Sequence, residues 1–507
     1  MIADVAAPDR LGPLEPEPVA RGRRMPWRAP EGLAWLVAVA SVVFFATAQY
    51  CHQLYIDTYF DLYAGRYVAE HGIPDRNVVT VIAHGRPWID QQWLAQLVDY
   101  RVWLLGGYAA VVVLPIALIS VGIALLGALM LRRGTSPLRM CAWTLAGLAE
   151  TYGYATPRPQ SVGYVLLPAV MWLVLGDDGR NRPRASVWLS IPLLVVWANV
   201  HGSVLVGAGF VGLHAVGRAL RALRRGNRQG LLSYLLLGAG AAVSPLCTPY
   251  GLAVVHYYGS LIGNPVLAST GGEWAPPNPA APYSWAFFTV VLAVAVAVGA
   301  AWRLGVRPDP ELAIFAVVTL GLALLAFRNT PWFGFAGCLL AADMLPGQRA
   351  PRTPAAPFRW MLAGAMTAIA AVSAIGLVLE PVSQYEASIP RRAVGVAARI
   401  AARQPDLQVL PDRFAAVGLL WLHPELLGRV AFDARDEQFS QAELAEIFAF
   451  VDAEGAHWQR LLTGYDLVVV SRQQDSRLAS AMTGLPAWRV VYADDSGIVL
   501  ERARKLP

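Results

Sequence analysis

The stretch LAWLVAVASVVFFATAQY, residues 33–50, decides the fold. It carries no charge, and Asp57-Thr58-Tyr59-Phe60-Asp61 follows just beyond it. A run of this length with no small-residue cleavage site after it is expected to remain as a first membrane span. Further apolar runs lie near 108–131, 187–200, 203–220, 231–247, 285–302, 312–327, 331–345 and 360–379. The stretch 140–176 divides in two around Pro157 and Pro159, which cannot continue a helix. Eleven spans result. Several are shorter than the ~20 residues of a straight crossing, so broken or partly re-entrant helices are expected.

Composition agrees. The chain of 507 residues is 56% hydrophobic and 15% charged, where a soluble domain carries about 25% charged residues. The net charge of +6 comes from forty arginines and one lysine, Lys505. Most of the arginines flank apolar runs, so they speak for orientation rather than for nucleic-acid binding. With residues 1–32 inside as a cytoplasmic tail, the inner segments hold 21 arginines. The outer segments before residue 380 hold six: Arg66, Arg76, Arg86, Arg101, Arg158 and Arg328. That bias satisfies the positive-inside rule. It puts a transmembrane domain at 33–379 and residues 380–507 outside, in a plasma (inner) membrane protein. The four cysteines show no metal-binding or redox spacing.

Beyond residue 380 the pattern changes. Helices are expected at 389–403, 412–422, 440–463 and 475–483, with strands at 407–411, 428–433, 466–471, 487–493 and 497–502. Runs such as Leu467-Val468-Val469-Val470 are continuously apolar, as in a sheet covered on both faces. The alternation predicts a small extracytoplasmic α/β domain, read as a lid or docking module.

Residues 51–107 form the longest excursion between spans. Tyr59, Leu62, Tyr63, Tyr67 and Val68 keep helical spacing, with Asp61 and Glu70 facing elsewhere, which predicts a helix lying in the interface. A second such helix is expected over about 90–105.

The run Asp57–Arg66, then Gly72-Ile73-Pro74 and Gly85-Arg86-Pro87-Trp88-Ile89-Asp90-Gln91-Gln92-Trp93-Leu94, resembles the first loop of the glycosyltransferase C superfamily. These are integral-membrane enzymes that use polyprenyl-phosphate sugars. The resemblance continues through Arg158-Pro159-Gln160, Asn199-Val200-His201-Gly202, Thr248-Pro249-Tyr250-Gly251, Glu273-Trp274 and the stretch 430–435. It implies an acidic residue early in the first outer loop that deprotonates the acceptor, and Asp57 has that place. On its own chemistry, Asp57 also suits the cap of a helix beginning at Thr58, the second of the two readings. The family usually shows His-Glu where this chain has Gln91-Gln92, and an aromatic-aromatic-His triplet where it has Tyr59-Phe60-Asp61. Asp61 and Asp90 are the acids available as replacements; the alternative is altered or lost activity.

The remaining polar residues sort by chemistry. Arg158 and Arg328 offer planar forks suited to a lipid phosphate, or snorkel to headgroups. Asn199 and His201 either touch a ligand or cap the end of a span. Glu273 and Trp274 suit a sugar by hydrogen bonding and stacking, and Gln92 and Asp90 are further candidate substrate contacts. No metal or other cofactor is expected, although Asp57, Asp61 and Glu273 could meet a divalent ion. The function expected is inverting transfer of a sugar from a polyprenyl-phosphate donor to a glycan, lipid or protein acceptor. A polysaccharide ligase or polymerase is one alternative. A non-catalytic transporter or assembly protein is another.

Overall fold

The computed structural model describes residues 29–151, 158–177, 181–261, 264–269, 272–345 and 355–503. Pro157, the tail up to residue 28 and the inner arginines Arg180, Arg349 and Arg352 lie outside these residues. The helices before the C-terminal part are α1 (Ala29–Ala48), α2 (Ile56–His71), α3 (Trp93–Arg132), α4 (Pro137–Thr151), α5 (Gln160–Val174), α6 (Ser190–Ala198), α7 (Val204–Arg224), α8 (Arg228–Val243), α9 (Ala253–Leu261), α10 (Pro265–Ser269), α11 (Trp285–Arg303), α12 (Pro310–Leu325), α13 (Thr330–Met344) and α14 (Ala356–Leu379). The apolar runs before residue 380 are helical over most of their described length. Among the described residues, five helical segments are long and apolar enough to cross a membrane: Trp93–Arg132, Val204–Arg224, Arg228–Leu246, Pro282–Arg303 and Ala356–Leu379. The protein is a multi-pass membrane protein.

The first loop departs from expectation. The second helix expected over about 90–105 and the span that follows it both lie within α3, divided by a kink where Gly106 and Gly107 leave helical geometry. Gly107 has φ +62°, which glycine reaches without a steric penalty. The first helix is enclosed by protein over much of its length. Residues 58–65 of α2 are buried, Asp61 included, between α3 and the C-terminal part. Gly65 allows the close approach, because a Cβ there would run into the Gln96 carbonyl.

The C-terminal part comprises α15 (Val382–Tyr385), α16 (Arg391–Ala402), β1 (Val409–Pro411), α17 (Arg413–Leu422), α18 (Gln441–Asp452), β2 (Leu467–Ser471), α19 (Ser476–Thr483), β3 (Trp488–Ala493) and β4 (Gly497–Arg502). Sheet order is β1-β2-β4-β3, with β1 parallel to β2 and β4 antiparallel to both neighbours. Leu467 and Val469 pack on the α16 and α17 side, and Val468 and Val470 on the α18 and α19 side. That alternation explains the unbroken apolar run.

The strand expected at 428–433 is absent; the segment makes only isolated bridges, from Val430 to Val409 and to Thr80. Its amides and carbonyls are shared between two partners. Ala431 N–H donates to Val409 O (2.9 Å), and Val430 O accepts from Val81 N–H (2.9 Å). The first loop is thereby added to the sheet edge beside β1. One apolar core also runs from Tyr59, Leu62 and Trp88 through Tyr108 to Val417, Trp421 and Val499.

Replacing Gly65 with alanine forces α2 off α3 and is expected to cost about 1–3 kcal/mol, as overpacking does. A thermal melt of the purified protein should show a lower midpoint. An unchanged midpoint would mean that the α2–α3 contact tolerates the methyl group.

Candidate functional site

A cavity of about 700 Å³ opens where the ends of the bundle helices meet α2 and the C-terminal domain. Asp57, Asp61, Gln92, Arg158, His201, Glu273, Trp274 and Arg328 all line it.

Asp57 does not cap α2. The cap position is Tyr55, which makes no side-chain cap bond, and Asp57 lies inside the first turn. There the unpaired amides and the helix dipole favour a carboxylate. Its Oδ2 lies 2.8 Å from Arg158 Nη2. The other Arg158 terminal nitrogen lies 2.5 Å from Glu273 Oε2. Arg158 stands just before the start of α5, so one guanidinium from the bundle bridges a carboxylate of the first loop and one of the 272–274 turn.

Arg328 is less engaged. It lies 3.6 Å from Glu273 Oε1 and stacks 3.9 Å from the Trp274 ring, which leaves donors facing the cavity. Burial opposes ionisation of Glu273, but Arg328 and Arg158 outweigh it and hold its carboxyl below the usual range. Burial and then the charge of Arg328 push His201 down to about 3. Its Nδ1 accepts from Ser203 N–H (3.1 Å), so the neutral ring carries its proton on Nε2 and offers one donor.

Asp61 is 1% exposed, and neither carboxyl oxygen has a hydrogen-bond partner. Burial first, then the nearby Asp99, Asp57 and Asp90, raise it well above the ordinary carboxylate range. Asp90 lies behind the wall rather than in it, and burial pushes it up to about 7. Asn199 is also set back. Its amide donates to Val195 O and Cys247 O (both 2.9 Å) and accepts from Trp93 Nε1 (2.9 Å). Those bonds make it a staple between helix ends, not a substrate contact. Gln91, which lines the cavity, donates to Ala198 O (2.7 Å) and pins the first loop to α6.

Sequence reasoning did not anticipate the C-terminal wall. Arg413, Asp436, Glu437 and Phe448 line the same cavity, with Tyr257 and Tyr258 from α9 beside them. Arg413 Nη2 lies 3.1 and 3.3 Å from the two Asp436 oxygens. The wall is held by a buried clasp in the 430–435 stretch. Arg435 donates to Asp433 (2.7 Å) and Asn77 (3.2 Å) and lies over Trp88, and Tyr63 O–H donates to Asp433 (2.7 Å). The resemblance through that stretch was the one available signal. Among the described residues, no three His, Cys, Asp or Glu side chains are grouped to hold a metal ion. Asp57 and Glu273 instead face a guanidinium.

The sequence matches no family model and no curated protein. Among solved structures, the oligosaccharyltransferase of Archaeoglobus fulgidus in the apo form is similar over 93% of this chain and 74% of its own, at TM-score 0.53 and 10% identity. The chain shares the fold of this oligosaccharyltransferase. The archaeal oligosaccharyltransferase AglB, in complex with an inhibitory peptide and a dolichol-phosphate, matches 94% of this chain and 75% of its own, at TM-score 0.52 and 11% identity. ArnT from Cupriavidus metallidurans bound to undecaprenyl phosphate aligns over 93% and 98% of the two chains, at TM-score 0.47 and 14% identity.

A histidine pushed down to about 3 takes up its proton in the unfolded chain near pH 6.5 and in the folded chain only near 3. Folding stability from this site is therefore full above about pH 6.5 and falls as pH drops below it. Imidazole NMR of His201 should show no titration between about pH 5 and 8, with the proton on Nε2. A midpoint near 6.5 would mean that the ring is hydrated and free of the guanidinium field.

Proposed function

We propose that this protein is an inverting glycosyltransferase that takes a sugar from a polyprenyl-phosphate carrier and passes it to an extracytoplasmic acceptor. The observation that carries the reading is the meeting of Asp57, Arg158, Glu273, Arg328 and His201 around one hollow at the helix ends. The likeness in fold to an oligosaccharyltransferase that holds dolichol-phosphate supports it. In this reading the chain crosses the inner membrane eleven times, with its N-terminus cytoplasmic and residues 380–507 outside.

The acceptor hydroxyl attacks the anomeric carbon, and its proton passes to the Asp57 carboxylate. The bond from the anomeric carbon to the phosphate oxygen breaks, and its electron pair leaves with the lipid phosphate. Attack opposite the departing group inverts the anomeric centre. Phosphate needs cations rather than an acid to leave, so one carboxylate suffices. Arg328, with donors free, takes the phosphate. Arg158 aims Asp57 and Glu273 and adds its charge, and the neutral His201 supplies a hydrogen bond from Nε2. Trp274, fixed under Arg328, presents a ring edge to the sugar. Gln92, from the first loop, holds its hydroxyls.

Asp57→Asn keeps the size of the side chain and removes the proton acceptor. Transfer from labelled polyprenyl-phosphate sugars should fall about 10²–10⁴-fold, the usual contribution of a general base, at normal expression. Arg328→Gln should chiefly weaken donor binding. Undiminished turnover by Asp57→Asn would place the base elsewhere.

A further inference from the structure

The two walls of the cavity differ in chemistry. The bundle wall carries the guanidiniums of Arg158 and Arg328. The facing wall carries Asp61 from α2 and Arg413, Asp436 and Glu437 from the C-terminal domain, with Asp57 between the two. The one guanidinium of the facing wall, Arg413, is already paired with Asp436 and lies over Phe448. An anionic group arriving there would meet carboxyls and no uncommitted cation. Its hydration would then be lost without a partner to offset it.

A hydroxyl fares differently, because it donates and accepts at once. Both Asp61 oxygens are buried and unpartnered, and so is the Tyr258 hydroxyl. Burial holds Glu437 up at about 8, so at neutral pH it too both donates and accepts. Asp57 and Asp61 stand one helical turn apart, and Asp436 and Glu437 are consecutive, so several hydroxyls can be held at once. A serine or threonine side chain offers only one hydroxyl, whereas a sugar ring offers a row of them.

We propose that Asp61, Arg413, Asp436 and Glu437 form the acceptor subsite, that it takes an uncharged glycan, and that it rejects acceptors bearing phosphate or carboxylate. The proposal rests on the transferase reading for the word acceptor, but the specificity of the wall can be measured without turnover. Full-length protein in lipid nanodiscs is applied to an array of neutral oligosaccharides and their phosphorylated, sulfated and carboxylated counterparts. Binding of undecaprenyl phosphate is followed in parallel by tryptophan fluorescence.

Neutral glycans alone should be retained. Asp436→Asn, which removes a charged acceptor, and Glu437→Leu, which removes both donor and acceptor, should each lower retention about tenfold, as losing one hydrogen bond to a charged or buried acid does. Undecaprenyl phosphate binding should persist in both variants, which also reports that they are folded. Retention of charged glycans at equal strength, or no retention of any neutral glycan, overturns the proposal. So does unchanged retention by both variants. Wild-type protein that holds neutral glycans but not undecaprenyl phosphate overturns the donor reading instead and leaves the specificity of the wall standing.

Discussion

One guanidinium holds the site together. Arg158 bridges Asp57 on α2 and Glu273 on the 272–274 turn, two elements more than two hundred residues apart in the chain. Without it, two carboxylates would face each other in a partly dry hollow, with only Arg328 nearby. Removing Arg158 would leave both carboxylates uncompensated, a penalty that water softens at Asp57, whose side chain is 43% exposed. Asp57 is held to the bundle by the same contact that aims it into the cavity.

A second constraint closes the other side. Backbone bonds through the 428–431 segment join the first loop to β1, and the buried Arg435–Asp433 pair locks that junction against Trp88, Asn77 and Tyr63. A fully buried arginine is tolerated only with such partners. The consequence is functional. Asp436 and Glu437 follow the clasp directly, so the C-terminal domain reaches the cavity as a fixed wall and not as a loosely docked lid.

Much of this was legible in the sequence. Apolar runs of spanning length marked the long bundle helices, since helix ends follow charge and proline whatever the tertiary packing, but not the short α9 and α10. Arg158, His201, Glu273, Trp274 and Arg328 stood out because polar residues at helix ends in an apolar chain have few bland explanations. The α2 face misled, because Asp61 reads as a solvated residue on an amphipathic helix, and only the packing of the C-terminal domain buries it. Arg413, Asp436 and Glu437 looked like ordinary surface charges of an α/β domain. Equally silent was the ionic network at the other end of the bundle, where His214 lies 3.1 Å from Asp177 and 2.6 Å from Glu311, beside Arg218 and Arg221. His214, Arg218 and Arg221 share one face of α7, but their partners come from loops and helices distant in sequence, which no local pattern reveals.

The most direct test is a density map of the protein with undecaprenyl phosphate bound. The account predicts the phosphate in the cavity, within hydrogen-bond distance of the Arg328 guanidinium, with the Asp57 carboxylate facing the side opposite the departing oxygen. A phosphate bound outside this hollow, or held there with Arg328 turned away, would contradict it.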